Sequence, residues 1–304
     1  MERNAIITMP PYAPYLEEVL KHEFVSGIRL NTVMPIKESH EDVLLRLNEK
    51  AKKYEKQLWI DLKCRQLRVN SFGTPPYTEI VLSHEIEVYT PTKAYFSNRN
   101  ISATILEVDG NRLIMQDGPR RVVGPGESIT IPHPTLEVKG YFTDTDKKYV
   151  EASAKVGVHD YILSFVEKNE DIEKLVKYDP KANIISKIES QKGLDYVGRK
   201  FNNESRLMAA RGDLYLELQW PHTIPEHLEL ILKKDKNAVV ASRILDSLSI
   251  GAEPTSSDIG DVDNLLRMGY KTFMLGDEIC LKRESVISGI NILYLMAGRY
   301  ERAK

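Results

Sequence analysis

The stretch "IISKIES" (residues 184–190) ends an apolar run on two opposite charges, Lys187 and Glu189. In an extended segment, residues two apart project to the same side, so this ammonium and this carboxylate share one face. The ammonium can steady a developing anion, and the carboxylate can hold a hard cation. Further on, "MAARGDLYLEL" closes another apolar run with Arg211, Gly212 and Asp213. Asp213 on one strand and Glu189 on its neighbour could together hold Mg²⁺ (or Mn²⁺), with substrate oxygens and waters completing the shell. Ordinary alternatives stay open for both. A Lys–Glu pair at a strand end is a common structural contact, and an aspartate where a helix starts is a common cap.

The elements that must carry these residues follow from the hydrophobic period. Short apolar runs alternate with amphipathic stretches, the pattern of βα units around a parallel sheet. Eight runs fit strands: "NAIIT", "VSGIRLN", "QLWIDL", "HDYILSF", "NIISKIE", "RLMAA", "AVVAS" and "KTFML". Helical period fills "SHEDVLLRLNEKAKKY", "DTDKKYVEASAKVG", "SSDIGDVDNLLRMG" and "RESVISGINILYLMAG"; Ser or Asp offers a cap at several starts, and the last three run into a glycine stop. Eight such units predict an α/β fold, a (β/α)8 TIM barrel, formed by residues 1–69 and 139–304. In such a barrel, reactive groups sit at the carboxyl ends of the strands. Residues 70–138 break the rhythm with "HEIEVYT", "ISATILEVDG" and "RLIMQDG", short strands separated by turn signals such as Asp109-Gly110. They predict a small all-β domain inserted after the third strand, with a lid as its use.

A formal net charge of -2 gives no broad field for nucleic acid or an anionic membrane, so neither is expected as a partner. The two cysteines, Cys64 and Cys280, lie far apart without a metal or redox spacing. The start, "MERNAIITMPPYAP", is too short in apolar residues for a signal-peptide core, and no run approaches the ~18 apolar residues of a membrane span. The expectation is a cytoplasmic protein, with a homo-oligomer left open. "GPGES" at Gly124 reads as a turn and not a phosphate loop. His222 and His227 lack helical zinc spacing, and the acids at Asp144 read as helix-start charges.

Four segments, "IISKIES", "MAARGDLYLEL", "EPTSSDIGDVDNLLRMGYKTFMLGDE" and "TDTDKKYVEASAKVGVHDYILSFVEKNED", resemble the pyruvate kinase family in order and spacing. The family is a barrel with a β-rich lid after the third strand and a carboxyl-terminal regulatory domain. Because the chain stops after its eighth barrel unit, that domain, the usual effector site and part of the tetramer contacts are expected to be missing. The resemblance implies that Lys187 stabilises the phosphoryl group in flight and the enolate, while Glu189 and Asp213 bind the metal. It implies that Arg29 clamps phosphate and that Asn31 and Arg68 lie near the nucleotide, with Asp61 at the family's "DTKGPEIR" aspartate. The amides of Gly212 and Asp213 would hold the substrate carboxylate, the Ser242 hydroxyl would relay a proton to the enolate carbon, and Asp117, with Gly118, would bring an acid from the lid.

Some positions depart from the family. Val33, Met34 and Leu62 replace side chains that serve potassium and nucleotide, and aliphatic groups cannot coordinate a hard cation, so the potassium site is expected to be lost. Gln66 stands where potassium-independent members place a lysine, and Lys63 is close in sequence. Tyr215 replaces a glycine and Arg243 a glutamine, which favours a larger or more acidic substrate. The implied activity is a Mg-dependent phosphotransferase acting between phosphoenolpyruvate, or a related enol phosphate, and a nucleoside diphosphate such as ADP. A metal-dependent aldolase or lyase working through a pyruvate enolate, and a catalytically silent metabolite-binding paralogue, are the alternatives.

Overall fold

The computed structural model describes residues 2–75, 79–96, 101–116 and 121–302. Fifteen strands run through them: β1 (Asn4–Thr8), β2 (Val25–Asn31), β3 (Gln57–Leu62), β4 (Glu79–Val81), β5 (Ile86–Glu87), β6 (Thr92–Phe96), β7 (Ile101–Asp109), β8 (Arg112–Met115), β9 (Ile129–Thr130), β10 (Glu137–Val138), β11 (Asp160–Leu163), β12 (Asn183–Ile188), β13 (Arg206–Ala210), β14 (Val239–Ala241) and β15 (Thr272–Leu275). Among these, β1, β2, β3 and β11 to β15 pair in parallel and close into a barrel, with β1 bonded to both β2 and β15. β4 to β10 form separate antiparallel sheets inserted after β3. The protein is therefore an α/β TIM barrel with an inserted β domain, as the alternation of apolar runs predicts.

Side-chain alternation sorts the barrel into layers. Ile6, Trp59, Ile162, Ile185, Met208, Val239, Ala241 and Met274 form one buried cluster inside the cylinder. The neighbouring positions on each strand point outward to a larger cluster under the helices, for instance Ile7, Leu58, Ile60, Leu163 and Val240. On β2 the inward place belongs to Gly27. A Cβ built there would lie 2.8 Å from the Gln57 carbonyl oxygen and 3.2 Å from the Trp59 indole, so the absent side chain makes room for the ring. Two residues further along the same faces come Thr8, Arg29, Asp61, Ser164 and Lys187, all buried. The apolar layer thus supports a polar one at the barrel mouth.

Helix ends follow cap chemistry, displaced by one residue from the simplest reading. Thr143 and Thr255, and not Asp144 and Ser256, cap their helices, each in a reciprocal box with Asp146 and Asp258. Gly157 and Gly269 end these helices in the left-handed conformation. Gly298 does not end the last helix, which continues through Arg283–Arg302. Its φ stays negative and nothing surrounds its Cβ position, so it remains a half-buried helical glycine at a small propensity cost.

The insert has its own core, built from Leu67, Val69, Ile80, Leu82, Phe96, Ile105, Leu113, Met115 and neighbours. The Asp109-Gly110 turn joins β7 to β8 with Gly110 at φ 60°. Two details depart from the expected strands. "HEIEVYT" contributes only the two residues of β5, and "TKAYF", unmarked by any clear apolar run, forms β6 by turning Ala94 and Phe96 inward. The Gly124–Gly126 segment is a turn, as read from its sequence.

Two outcomes test this packing. Gly27→Ala forces a methyl against a carbonyl and an indole, so it should cost about 1–3 kcal/mol in urea unfolding while leaving an ordinary surface glycine change near neutral. His84 at the foot of the insert is buried, its Nε2 has no partner, and burial holds its pKa below the ordinary 6.5. The unfolded chain takes up a proton near 6.5 while the folded imidazole resists, so this contribution is complete above that pH and is lost as pH falls below it. Urea midpoints should therefore drop more steeply between neutral and mildly acid pH in the wild type than in His84→Gln.

Candidate active site

At the centre of the polar layer lies Asp61, the residue after Ile60 on β3, with no exposed surface. Three cations converge on its carboxylate. Arg29 of β2 donates through Nε at 2.8 Å and also through Nη2, Lys63 donates through Nζ at 2.9 Å, and the Lys187 ammonium of β12 lies 3.6 Å away. Burial alone would favour the neutral acid, but Arg29, Lys187 and Lys63 together hold Asp61 far below the usual carboxylate range. Arg29 also donates to the Thr8 hydroxyl at 2.8 Å and to Asp277 at 3.1 Å, and Asn31 donates to both Asp277 oxygens at 2.9 and 3.0 Å. Lys63 pays for its position differently: burial lowers its pKa to about 8 despite Asp61, and Lys187 and Arg29 push the same way.

The opposite-charge pair Lys187 and Glu189 sits beside this cluster. Lys187 donates to Glu189 at 3.0 Å, and both are buried. Burial works against the Lys187 charge, yet Asp61 and Glu189 hold the ammonium above its ordinary range. The other Glu189 oxygen accepts the backbone N–H of Phe165 at 2.7 Å, and Phe165 is left-handed at φ 50°. Burial raises the Glu189 pKa to about 7 against the pull of Lys187, and the like charge of the nearby Asp213 carboxylate raises it further. Lys187, Glu189 and Asp213 are thus brought together as the spacing predicts. Asp213 is the third residue of the helix Arg211–Glu217 and does not cap it; Ala210 holds the cap place without a side-chain bond.

A second wall comes from the ends of β13 and β14. Arg211 forms a two-point pair with Asp261 at 2.6 and 2.8 Å and also donates to the carbonyls of Ser242 and Arg243 at 3.1 and 2.9 Å. It thereby holds Ser242 and Arg243 in left-handed conformations, φ 67° and 55°, that non-glycine residues adopt only at a cost of about 1–3 kcal/mol each. Gly212 packs against this turn, its Cβ position 3.2 Å from that of Ser242. The Arg243 guanidinium lies over the Tyr215 ring at 4.3 Å, so the two substitutions noted in the sequence form a single stacked pair.

Arg68 enters from the foot of the insert. It donates to Gln66 at 2.5 Å and to the Gly126 carbonyl, while its Nε is buried without an acceptor. Burial lowers its pKa, and the opposing influence of Asp213, Asp61, Asp277 and Glu189 places it facing the same mouth. Asp117 and Gly118 lie outside the described residues. Val33 is exposed beside Asn31, and Leu62 is buried in the outer layer, so neither aliphatic side chain occupies the ionic cluster. Sequence reasoning missed Asp277, Thr8 and the Phe165 amide. The position of Asp277 immediately beyond β15, in "MLGDE", would have marked it by the strand-end rule; the Phe165 amide left no trace in residue type.

The donor set fits the groups the chemistry calls for. Among the described residues, no set of three or more His, Cys, Asp and Glu forms a metal cage. Two neighbouring carboxylates, one of them buried, are however what a divalent cation relieves, and magnesium commonly takes one or two carboxylates with substrate oxygens and water. The unpaired, buried Arg68 Nε suits an anion at the same mouth.

Comparison with known proteins places the chain among its relatives. A family model described as "Pyruvate kinase, barrel domain" matches residues 87–281. Pyruvate kinase of Thermoplasma acidophilum is 24% identical over 94% of this chain and 56% of its own length. The Thermotoga maritima pyruvate kinase is 25% identical over 91% of the chain and 66% of its own length, and that of Lactobacillus delbrueckii subsp. bulgaricus 27% over 79% and 47%. The chain spans about half to two thirds of the length of these relatives. With the barrel closed, the β domain inserted after its third strand and the family model covering most of the sequence, the chain belongs to the pyruvate kinase family.

Proposed function

We propose that the protein is a Mg²⁺- or Mn²⁺-dependent phosphotransferase of pyruvate kinase type, moving a phosphoryl group between phosphoenolpyruvate, or a related enol phosphate, and a nucleoside diphosphate such as ADP. The observation that carries this is the Lys187, Glu189 and Asp213 group beside Arg29 and Asp61, buried at the barrel mouth. Glu189 and Asp213 would hold the cation, which when bound neutralises charge on the substrate oxygens. Phosphoryl transfer depends chiefly on positioning and charge neutralisation. Lys187, already fixed between Asp61 and Glu189, presents a positive charge to the phosphoryl group and to the enolate oxygen without reorganising. Arg29, locked by Asp61, Thr8 and Asp277, is set to receive phosphate as a rigid donor. The amides of Gly212 and Asp213 would take the substrate carboxylate, and Ser242, packed against Gly212, stands where its hydroxyl could carry a proton to the enolate carbon. Asn31 and Arg68 would border the nucleotide, although the Asn31 amide is occupied by Asp277 and so acts through that carboxylate.

Potassium is not required in this reading. Lys63 supplies a buried ammonium at Asp61, 2.9 Å away, where a monovalent cation would otherwise be needed to balance charge. No described helix is long and apolar enough to cross a membrane, and we read the protein as acting in the cytoplasm on a small phosphorylated substrate, without nucleic acid or membrane partner.

A coupled assay for pyruvate from phosphoenolpyruvate and ADP tests the assignment. Turnover should need Mg²⁺ or Mn²⁺, and Lys187→Met should lower kcat by about 100-fold or more while the protein stays folded. Absence of turnover at every potassium concentration, with C3 proton exchange of pyruvate retained in the absence of nucleotide, overturns the kinase reading in favour of enolate chemistry alone. Rates should be equal in sodium and potassium buffers. Because Lys63 must stay protonated to hold its place, activity should fall as pH rises through about 8, and Lys63→Arg should move that basic limb upward.

A further inference from the structure

The inserted domain is tied to the barrel at two places, and both ties grip the same short loop. On the way out, after β3, Lys63 and Cys64 donate their backbone N–H groups to Asp146 at 2.8 and 3.0 Å. Asp146 also accepts from the Thr143 N–H and hydroxyl at 2.9 and 2.8 Å, so one buried carboxylate staples the outgoing segment to the returning one. The next residue, Arg65, is buried and forks onto Asp171 at 2.8 and 2.6 Å. It also donates to Glu167 at 3.1 Å and to the Phe165 carbonyl at 3.2 Å. On the way back, Tyr141 lies under the Arg65 guanidinium, 4.9 Å from its ring centre, and donates its hydroxyl to the Ser164 carbonyl at 3.2 Å.

The loop held in this way is the one that meets the site. Phe165 gives its carbonyl to Arg65 and its N–H to Glu189. Glu167, paired with Arg65 on one oxygen, accepts the Ser190 hydroxyl at 2.6 Å on the other. The residue beside Glu189 is therefore anchored to the same loop. Phe165 is left-handed, at φ 50°, and in that conformation its N–H reaches Glu189 while its carbonyl reaches Arg65.

We propose that Arg65 and Tyr141 are positioning residues that couple the seating of the inserted domain to the aim of the Glu189 carboxylate through the Ser164–Phe165 peptide. If the foot of the insert shifts, these two side chains shift the loop, and the Phe165 N–H ceases to fix the Glu189 oxygen. Divalent-cation affinity and the seating of the insert are then linked, each favouring the other. This rests on the reading of Glu189 as a metal-side carboxylate.

The test measures Mn²⁺ binding to the purified chain by electron paramagnetic resonance, without substrate. Removing Arg65 alone would strand Asp171 as a buried charge, so the variant is Arg65→Gln/Asp171→Asn, accompanied by Tyr141→Phe, which removes a single hydroxyl and keeps the ring. Arg206→Gln serves as the control, since Arg206 donates to the Asn237 carbonyl and Thr272 at the opposite end of the barrel. The double variant should weaken Mn²⁺ by about 10-fold, the usual consequence of losing an outer partner of a metal ligand. Tyr141→Phe should weaken it less but measurably, and Arg206→Gln should leave it unchanged even where it lowers the melting temperature. If the wild type and Arg206→Gln bind Mn²⁺, Glu189→Gln abolishes binding and Tyr141→Phe with the double variant binds as the wild type does, the positioning role is overturned while the metal reading stands. If the wild type binds no Mn²⁺, or Glu189→Gln binds equally well, the metal reading fails and this coupling with it. Should the double variant not fold, Tyr141→Phe decides alone.

Discussion

A buried carboxylate surrounded by more positive charge than it can neutralise governs this molecule. Asp61 has no contact with water, and Arg29, Lys63 and Lys187 reach it from the ends of three adjoining segments. Desolvating four charged groups is costly, and their attraction repays it only where the geometry is good. The barrel supplies that geometry, because β2, β3, β11 and β12 are consecutive neighbours in the cylinder and bring the four groups to its mouth. Asp277 and Glu189 then balance this charge locally, the first steadying Arg29 and Asn31, the second steadying Lys187.

Strand alternation turns that electrostatic requirement into a simple sequence rule. Ile185, Lys187 and Glu189 lie two apart, as do Trp59, Asp61 and Lys63. In each series the first residue fills the apolar interior and the later ones emerge above it. The same parity that packs the core therefore decides which charges face one another. Charged residues on such strands are held in place by the stability of the barrel itself.

Much of this was legible because it depends on period and position. The eight barrel runs, the interruption for a β insert and the meeting of Lys187, Glu189 and Asp213 all follow from alternation and strand-end placement. What escaped depends on backbone conformation or on partners remote in sequence. Asp277 belongs with Arg29 only after the barrel closes β15 onto β1. The Phe165 amide is a functional group that every residue type carries, so no side chain announces it. Ser39 caps its helix as read, whereas two caps lie one residue earlier than the apparent start, because Thr143 and Thr255 bind the amide of the third helical residue and leave the more conspicuous Asp144 and Ser256 inside the first turn. The strand β6 was hidden because a lone alanine and one phenylalanine suffice to fill its inner face.

The empty side chain at Gly27 and the large indole at Trp59 occupy one volume between them. Neither can change size alone without leaving a void or a clash in a layer that has no access to solvent. A descendant of this chain that acquires a methyl or larger group at the first position must both surrender bulk at the second and shift the Gln57 carbonyl, 2.8 Å from that methyl, so these two sites should drift as a pair, and rarely, through evolutionary time. Such paired drift would be imposed from beneath the reaction centre, by packing, and would proceed whether or not the chemistry above it had changed.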